Sequence, residues 1–94
     1  MLRVASFNVN GIRAAQRRGF EAWLARRRPD ILGLQEMRCP AEAVPTGVFT
    51  GYHLAYHPGV LPGRNGVAIA SRIAPSAVRT GFGHRIFDPE GRYL

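Results

Sequence analysis

The stretch that decides the fold is LRVASFNVNGIRAAQRRGFEAWLARRRPDILGLQE, residues 2–36. Residues 2–7 alternate apolar and polar side chains as a strand does, and Asn8-Val9-Asn10-Gly11 breaks that strand. Residues 31–34 form a short apolar run that is typical of a strand buried on both faces. A strand, a helix and a second strand place the two strands parallel in one sheet, so the sequence predicts an α/β fold.

The segment between these two strands has the pattern of an amphipathic helix. Its apolar residues fall roughly at helical spacing: Ile12, Ala15, Phe20, Trp23 and Leu24. Asn10 could cap the start of the helix, and the arginines at 26–28 suit the negative end of the helix dipole. Because Pro29 cannot continue a helix, we predict one helix from residue 12 to about residue 28.

The rest of the chain predicts further strands joined by loops. Residues 40–51 are rich in proline, glycine and small side chains, which favours a loop with at most one short helical turn. Residues 52–56 and 67–71 predict an antiparallel pair of strands with a long exposed tip. Another strand is predicted over residues 77–80, and residues 91–94 have the pattern of a strand that is just beginning.

Composition limits the class of protein and its partners. At 94 residues the chain can form one small domain near marginal stability. The net charge of +7 comes from 13 basic residues, all arginine, against 6 acidic ones, which indicates either a nucleic-acid partner or a solvated basic face. No apolar run approaches the ~18 residues of a membrane span. No secretion signal is recognisable and the single Cys39 cannot form an internal disulfide, so we expect a cytoplasmic location.

Two polar residues follow the first two predicted strands. Asn8 comes directly after the first strand and Glu36 after the second, and neighbouring parallel strands bring such residues to one sheet edge. An amide oxygen and a carboxylate are hard ligands suited to Mg²⁺. Asn8 alone could equally be a turn former, and Glu36 alone a surface carboxylate. His53 and His57 are four residues apart but belong to a predicted strand, so we expect no zinc site.

Four segments resemble signatures of exodeoxyribonuclease III, and they occur in the family's order. They are residues 6–14 (SFNVNGIRA), 34–38 (LQEMR), 66–72 (GVAIASR) and 90–92 (EGR). The resemblance implies the endonuclease/exonuclease/phosphatase fold, a four-layer α/β sandwich in which two sheets pack face to face between outer helices. Residues 1–94 would then be the N-terminal third of a single domain, truncated at its C-terminal end.

The same resemblance implies roles for individual residues. Glu36 would be a Mg²⁺ ligand, with Mn²⁺ as a possible substitute, and Asn8 would help to hold the metal. Arg13 would approach a DNA phosphate. Asn10 stands where some relatives carry aspartate, so a role in metal binding, a phosphate contact and a helix cap remain open. Arg38 replaces the family's usual lysine, and Arg64 could reach the DNA backbone from the hairpin tip.

The implied activity is Mg²⁺-dependent hydrolysis of phosphodiester bonds during base excision repair. Such an enzyme, a monomer at full length, would cut double-stranded DNA beside abasic sites and trim 3′ ends. The family's water-activating aspartate, active-site tyrosine and Asp-His pair would lie beyond Leu94, so we expect no complete catalytic set in residues 1–94 and no activity from them alone. Two alternatives are a related metal-dependent phosphoesterase for small phosphate esters and a non-catalytic nucleic-acid-binding module.

Overall fold

The computed structural model describes residues 2–59, 64–75 and 77–78. Four strands and two helices are present in this part of the chain: β1 (Val4–Asn8), α1 (Ile12–Arg17), α2 (Phe20–Arg27), β2 (Ile31–Gln35), β3 (His53–His57) and β4 (Val67–Ser71). The loop between β2 and β3 contains two 3-10 turns, Ala41–Ala43 and Thr46–Phe49, which is one helical turn more than predicted. The α/β prediction is therefore confirmed.

The strands form one mixed sheet in the order β1-β2-β4-β3. β1 and β2 are parallel, in a register that places Val4 beside Ile31 and Asn8 beside Gln35. β4 runs antiparallel to both β2 and β3. The predicted parallel pair and the predicted antiparallel pair are both confirmed, and Asn8 and Glu36 consequently lie at the same edge of the sheet.

One face of the sheet packs against the helices and forms the core. The residues on this face alternate with outward-facing ones, as strand geometry requires, and are Ala5, Phe7, Leu32, Leu34, Leu54, Tyr56, Ala68 and Ala70. On the opposite face Ile69 is 37% exposed and Val4 is 68% exposed. The prediction that β2 is buried on both faces holds for one face in the part of the chain that the structure describes. Leu32 and Leu34 are buried, whereas Ile31 and Gly33 are only half-buried.

The predicted single helix is wrong, because the chain breaks it at Gly19. Gly19 has φ 97°, a left-handed conformation that glycine adopts readily, and it begins α2 by accepting a hydrogen bond from the Trp23 amide. The break lets Phe20 turn into the core, where its ring packs against Phe7 and Phe49 at centroid distances of 5.8 and 6.0 Å. The predicted end of the helix is confirmed, since α2 stops at Arg27.

The remaining predictions concern the helix cap, two further strands and membrane spans. Asn10 is not the helix cap: Gly11 occupies that position and makes no side-chain capping bond. In the predicted strand over residues 77–80, Ala77 and Val78 belong to no strand, and residues 79–80 and 91–94 lie outside the described residues. Among the residues that are described, no helix is long and apolar enough to cross a membrane.

Candidate active site

The loops that follow β1 and β2 are joined by backbone hydrogen bonds. The Val9 amide donates to the Gln35 carbonyl at 3.0 Å, and the Gly11 amide donates to the Glu36 carbonyl at 2.7 Å. The Ile12 amide then donates to the Met37 carbonyl at 2.9 Å. The pairing of the two strands thus continues past their ends, which fixes the backbone that carries both Asn8 and Glu36.

A third loop, just before β4, is bonded to the same place. The Met37 amide donates to the Gly66 carbonyl at 3.0 Å, and the Arg38 amide donates to the Asn65 carbonyl at 2.8 Å. The sequence did not predict this contact, because it depends on how β4 pairs with β2. It places Arg64, an exposed residue next to Asn65, at the same edge of the sheet.

Tyr56 packs against this third loop at Gly66. Its hydroxyl donates to the Cys39 carbonyl, and its ring lies so close to Gly66 that a Cβ there would be 2.6 Å from the hydroxyl oxygen. Burial raises the pKa of Tyr56 to about 12, so the hydroxyl stays protonated at neutral pH and keeps donating. Burial also raises the pKa of the Cys39 thiol, which keeps it protonated and poorly reactive.

The backbone at this edge of the sheet is strained. Among the described residues, five other than glycine have positive φ, and four of them are in these loops: Asn10 (48°), Glu36 (55°), Arg38 (56°) and Asn65 (58°). The left-handed conformation costs of order 1–3 kcal/mol for a residue with a Cβ, with asparagine the more tolerant case. Strain of this kind persists where the surrounding bonds fix the backbone, and it concentrates at functional sites.

The side chains of Asn8, Glu36 and Arg38 form one hydrogen-bonded group. Asn8 Nδ2 donates to Glu36 Oε2, and Asn8 Oδ1 accepts from the Asn10 amide at 2.9 Å. Arg38 Nη2 donates to Glu36 Oε1 at 2.9 Å, which also forms an ion pair. Because a backbone amide can only donate, the Asn10 contact fixes which end of the Asn8 amide faces Glu36. The predicted convergence of Asn8 and Glu36 is confirmed.

Arginines surround a shallow cavity beside this group. The cavity has a volume of about 250 Å³ and is lined by Gly11, Arg13, Ala14, Arg17 and Arg38. Arg17 was not singled out from the sequence, although its spacing of four residues from Arg13 places the two on one face of a helix. Three arginines that line one cavity favour an anion with several acceptor oxygens, such as phosphate.

The donor atoms at this edge fit a hard divalent metal. Glu36 supplies carboxylate oxygens on a side chain that is 37% exposed, and Asn8 carries an amide oxygen, although the atom of Asn8 that faces Glu36 is Nδ2. Within the described ranges no group of three or more His, Cys, Asp or Glu side chains is arranged to hold a metal ion.

Fold and site together define a class of protein. The chain belongs to the Endonuclease/Exonuclease/phosphatase family, whose family model matches residues 5–94. The resemblance seen in the short motifs and the fold that it implied are therefore confirmed.

Individual relatives narrow the class. The chain is 36% identical to exodeoxyribonuclease III of Haemophilus influenzae over 86% of its own length and 30% of that protein. It is 35% identical to the DNA repair nuclease APEX1 of Danio rerio, over 99% of this chain and 31% of the relative. The chain thus spans about a third of the length of these curated relatives, which are enzymes of DNA repair and degradation by name.

Solved structures of related enzymes share this fold. An AP endonuclease from Archaeoglobus fulgidus superposes with a TM-score of 0.82 at 38% identity, covering 96% of this chain and 35% of that one. The 3′ phosphatase NExo from Neisseria, bound to a product DNA hairpin, superposes with a TM-score of 0.81 at 29% identity, covering 98% and 35%. The backbone described above therefore matches about a third of the chain in each of these solved structures.

Proposed function

We propose that this chain is part of a divalent-metal-dependent DNA-repair nuclease that hydrolyses phosphodiester bonds beside abasic sites and at 3′ ends. The observation that carries the proposal is the bonded group of Asn8, Glu36 and Arg38 at the edge of the sheet, directly beside the arginine-lined cavity. Metal-assisted phosphodiester hydrolysis uses hard oxygen donors for the metal close to cationic groups for the phosphate, and both kinds of side chain lie at this edge of the sheet. The names of the relatives support a DNA substrate.

Glu36 would hold the metal, and Mg²⁺ is the ion that its donor set fits best, with Mn²⁺ as a substitute. When bound, such a metal stabilises the negative charge that develops on the phosphate. Asn8 donates to Glu36 through Nδ2 while its Oδ1 accepts from Asn10. Its principal role would therefore be to orient the carboxylate, and a lone pair of Oδ1 remains available for a metal.

Four residues would contact DNA. Arg13 and Arg38 line the cavity, and their guanidinium groups can each grip a phosphate through two hydrogen bonds. Asn10, which is exposed beside Asn8, would contact the same phosphate, and Arg64 would reach the backbone from the loop before β4. Contacts to phosphate and not to bases allow action on any sequence, as repair of abasic sites demands.

A related activity is the second candidate. The Neisseria structures are described as a 3′ phosphatase and as a 3′-5′ exonuclease, so removal of a terminal 3′ phosphate would use the same cavity. A phosphoesterase for small phosphate esters has less support, because the net charge of +7 and the names of the relatives favour a DNA substrate. A non-catalytic nucleic-acid-binding module would leave the orientation of Glu36 by Asn8 without a purpose.

The test is cleavage, by the full-length protein of which this chain is part, of a labelled duplex that contains one abasic site, with Mg²⁺ or with excess chelator. The intact duplex and a duplex ending in a 3′ phosphate serve as parallel substrates. We expect Mg²⁺-dependent incision beside the abasic site and slower shortening from 3′ ends. Release of phosphate without incision would favour the phosphatase, and tight binding without any reaction would favour the non-catalytic module. We expect residues 1–94 on their own to be inactive, since Glu36 is a single carboxylate and activation of water needs a further base.

A further inference from the structure

Arg38 lies beside both Glu36 and the arginine-lined cavity, and its positive charge would be favourable in either place. Its Nη2 is 2.9 Å from Glu36 Oε1, and its side chain also lines the cavity shared with Arg13 and Arg17. Its backbone is fixed, because its amide donates to the Asn65 carbonyl and its φ is 56°. Any redistribution between the two sites therefore concerns the side chain of Arg38 and leaves the loop in place.

The bond from Arg38 to Glu36 is of a kind that exchanges easily. The Arg38 side chain is 45% exposed and that of Glu36 is 37% exposed, so water screens their attraction. Ion pairs this exposed contribute little to stability. Yet the guanidinium occupies Oε1, a carboxylate oxygen that a metal bound by Glu36 would use, and two cations cannot share it closely without strong repulsion.

The arginine-lined cavity provides a second position for the Arg38 guanidinium. Arg13 and Arg17 line it together with Arg38, so with no anion inside the three positive charges repel one another. That repulsion favours the position of Arg38 on Glu36. A phosphate in the cavity reverses the balance, because it attracts all three guanidinium groups.

We propose that Arg38 is a positioning residue that competes with the metal for Glu36 and is released toward the Arg13–Arg17 cavity when the metal binds. This inference rests on the metal site proposed above. Before metal binds, Arg38 neutralises and orients the carboxylate. Once displaced, it becomes an additional phosphate ligand beside the metal, so metal binding and substrate binding reinforce each other through one side chain.

The consequence is that removing the Arg38 charge should tighten metal binding in the absence of DNA. Arg38→Met retains the length and the Cβ of the side chain, so the backbone strain at φ 56° is unchanged. We expect Mn²⁺ to bind about two- to fivefold more tightly, the range that corresponds to loss of an exposed ion pair. Arg38→Lys keeps a cation and should bind Mn²⁺ like the unmodified protein.

The experiment is a Mn²⁺ titration of the purified protein without DNA, in which electron paramagnetic resonance measures the free ion. Arg13→Met is the matched control, since it removes one charge from the same cavity but not the charge bonded to Glu36. We expect it to change Mn²⁺ affinity less than Arg38→Met does. In a Glu36→Gln background Arg38→Met should have no further effect, and thermal melts of every variant check that the fold is intact.

The metal site at Glu36 and the competition between Arg38 and the metal are overturned by different results. If Glu36→Gln left Mn²⁺ affinity unchanged, the metal site under the proposed function would be wrong. If Glu36→Gln weakened binding but Arg38→Met failed to exceed the Arg13→Met control, the competition alone would be overturned. Equal behaviour of Arg38→Lys and Arg38→Met would also overturn it, because the charge would then not be the cause.

Discussion

Two acidic residues flank β2, and they are held in opposite ways. Asp30, before the strand, accepts a hydrogen bond from the Arg3 amide at 2.7 Å, and its own amide and carbonyl pair with Arg3 and Arg72. Glu36, after the strand, is bonded through its side chain to the side chains of Asn8 and Arg38. The Asp30 carboxylate is held by a backbone amide, whereas the Glu36 carboxylate is held by side chains, which can exchange for another ligand without a change in the backbone.

The same contrast appears in the backbone. Around Asp30 the two strands begin with regular pairing, and Arg3 and Asp30 have no unusual φ. Around Glu36 the loops are strained but bonded to one another. One end of the sheet is thus built for stability, and the other places a carboxylate, an amide and arginines at defined positions.

The largest expected effect is loss of activity in Glu36→Gln. The variant keeps the shape of the side chain and an acceptor oxygen but loses the charge that binds metal. We expect kcat/KM on an abasic duplex to fall at least about 100-fold, with the free energy of unfolding changed by less than about 1 kcal/mol. The measurement is a Mg²⁺ titration of incision beside a urea melt, with Glu42→Gln as an exposed control. Unchanged activity at all Mg²⁺ concentrations would remove Glu36 from the metal site.

The second largest effect is expected for Gly66→Ala, which should lower the free energy of unfolding. A Cβ at Gly66 would meet the Tyr56 hydroxyl at 2.6 Å, and φ is +95°. We expect the free energy of unfolding to fall by about 2–3 kcal/mol and activity to fall with it, since the loop that holds Met37 and Arg38 must shift.

Substitutions at two other glycines distinguish the effect of backbone strain from the effect of the close contact with Tyr56. Gly19 has φ +97° with open space around its Cβ position, and Gly47 has open space without the unusual φ. Urea melts should therefore rank Gly66→Ala as the most destabilising, Gly19→Ala as intermediate and Gly47→Ala as nearly neutral. If Gly66→Ala were no worse than Gly19→Ala, the tight contact with Tyr56 would have no energetic role.

Asp30→Ala should lower stability and leave activity nearly unchanged, which is the opposite of the result expected for Glu36→Gln. It removes the acceptor for the Arg3 amide at the start of β1, so we expect about 1 kcal/mol less stability. Activity per folded molecule should stay within about twofold of the unmodified protein, because the site lies at the other end of β2. A drop in activity as large as that of Glu36→Gln would mean that the two ends of the sheet do not have separate roles.

The smallest effect is expected for Arg13→Ala, measured as salt dependence of DNA binding. Loss of one phosphate contact should flatten the slope of log affinity against log salt by about 1 unit. Arg26→Ala, an exposed arginine in the last turn of α2, is the matched control and should leave the slope unchanged. An equal change in both variants would indicate general charge and not a contact in the cavity.

Much of this molecule could be predicted from local sequence. Alternation predicted β1, a short apolar run predicted β2, and two apolar segments separated by turn residues predicted the β3–β4 pair, all within one or two residues, because these patterns are local. Parallel pairing of β1 and β2 then brought Asn8 and Glu36 to one edge. The helix break at Gly19 was not predicted, since apolar spacing continues across it and only the packing of Phe20 requires the left-handed turn.

The sequence by itself determined most of the strands and the class of fold, and it singled out Asn8 and Glu36 as candidate metal ligands, because these follow from periodicity, from short family motifs and from residue types directly after strands. Only the tertiary structure decided that Asn8 orients Glu36, that Arg38 sits on the same carboxylate, and that Arg17 shares a cavity with both Arg13 and Arg38. The physical reason is that these contacts join residues up to 28 positions apart, and the pairing of three loops sets their distances. Local patterns specify which side chains are present at an edge, and long-range hydrogen bonds specify which of them touch.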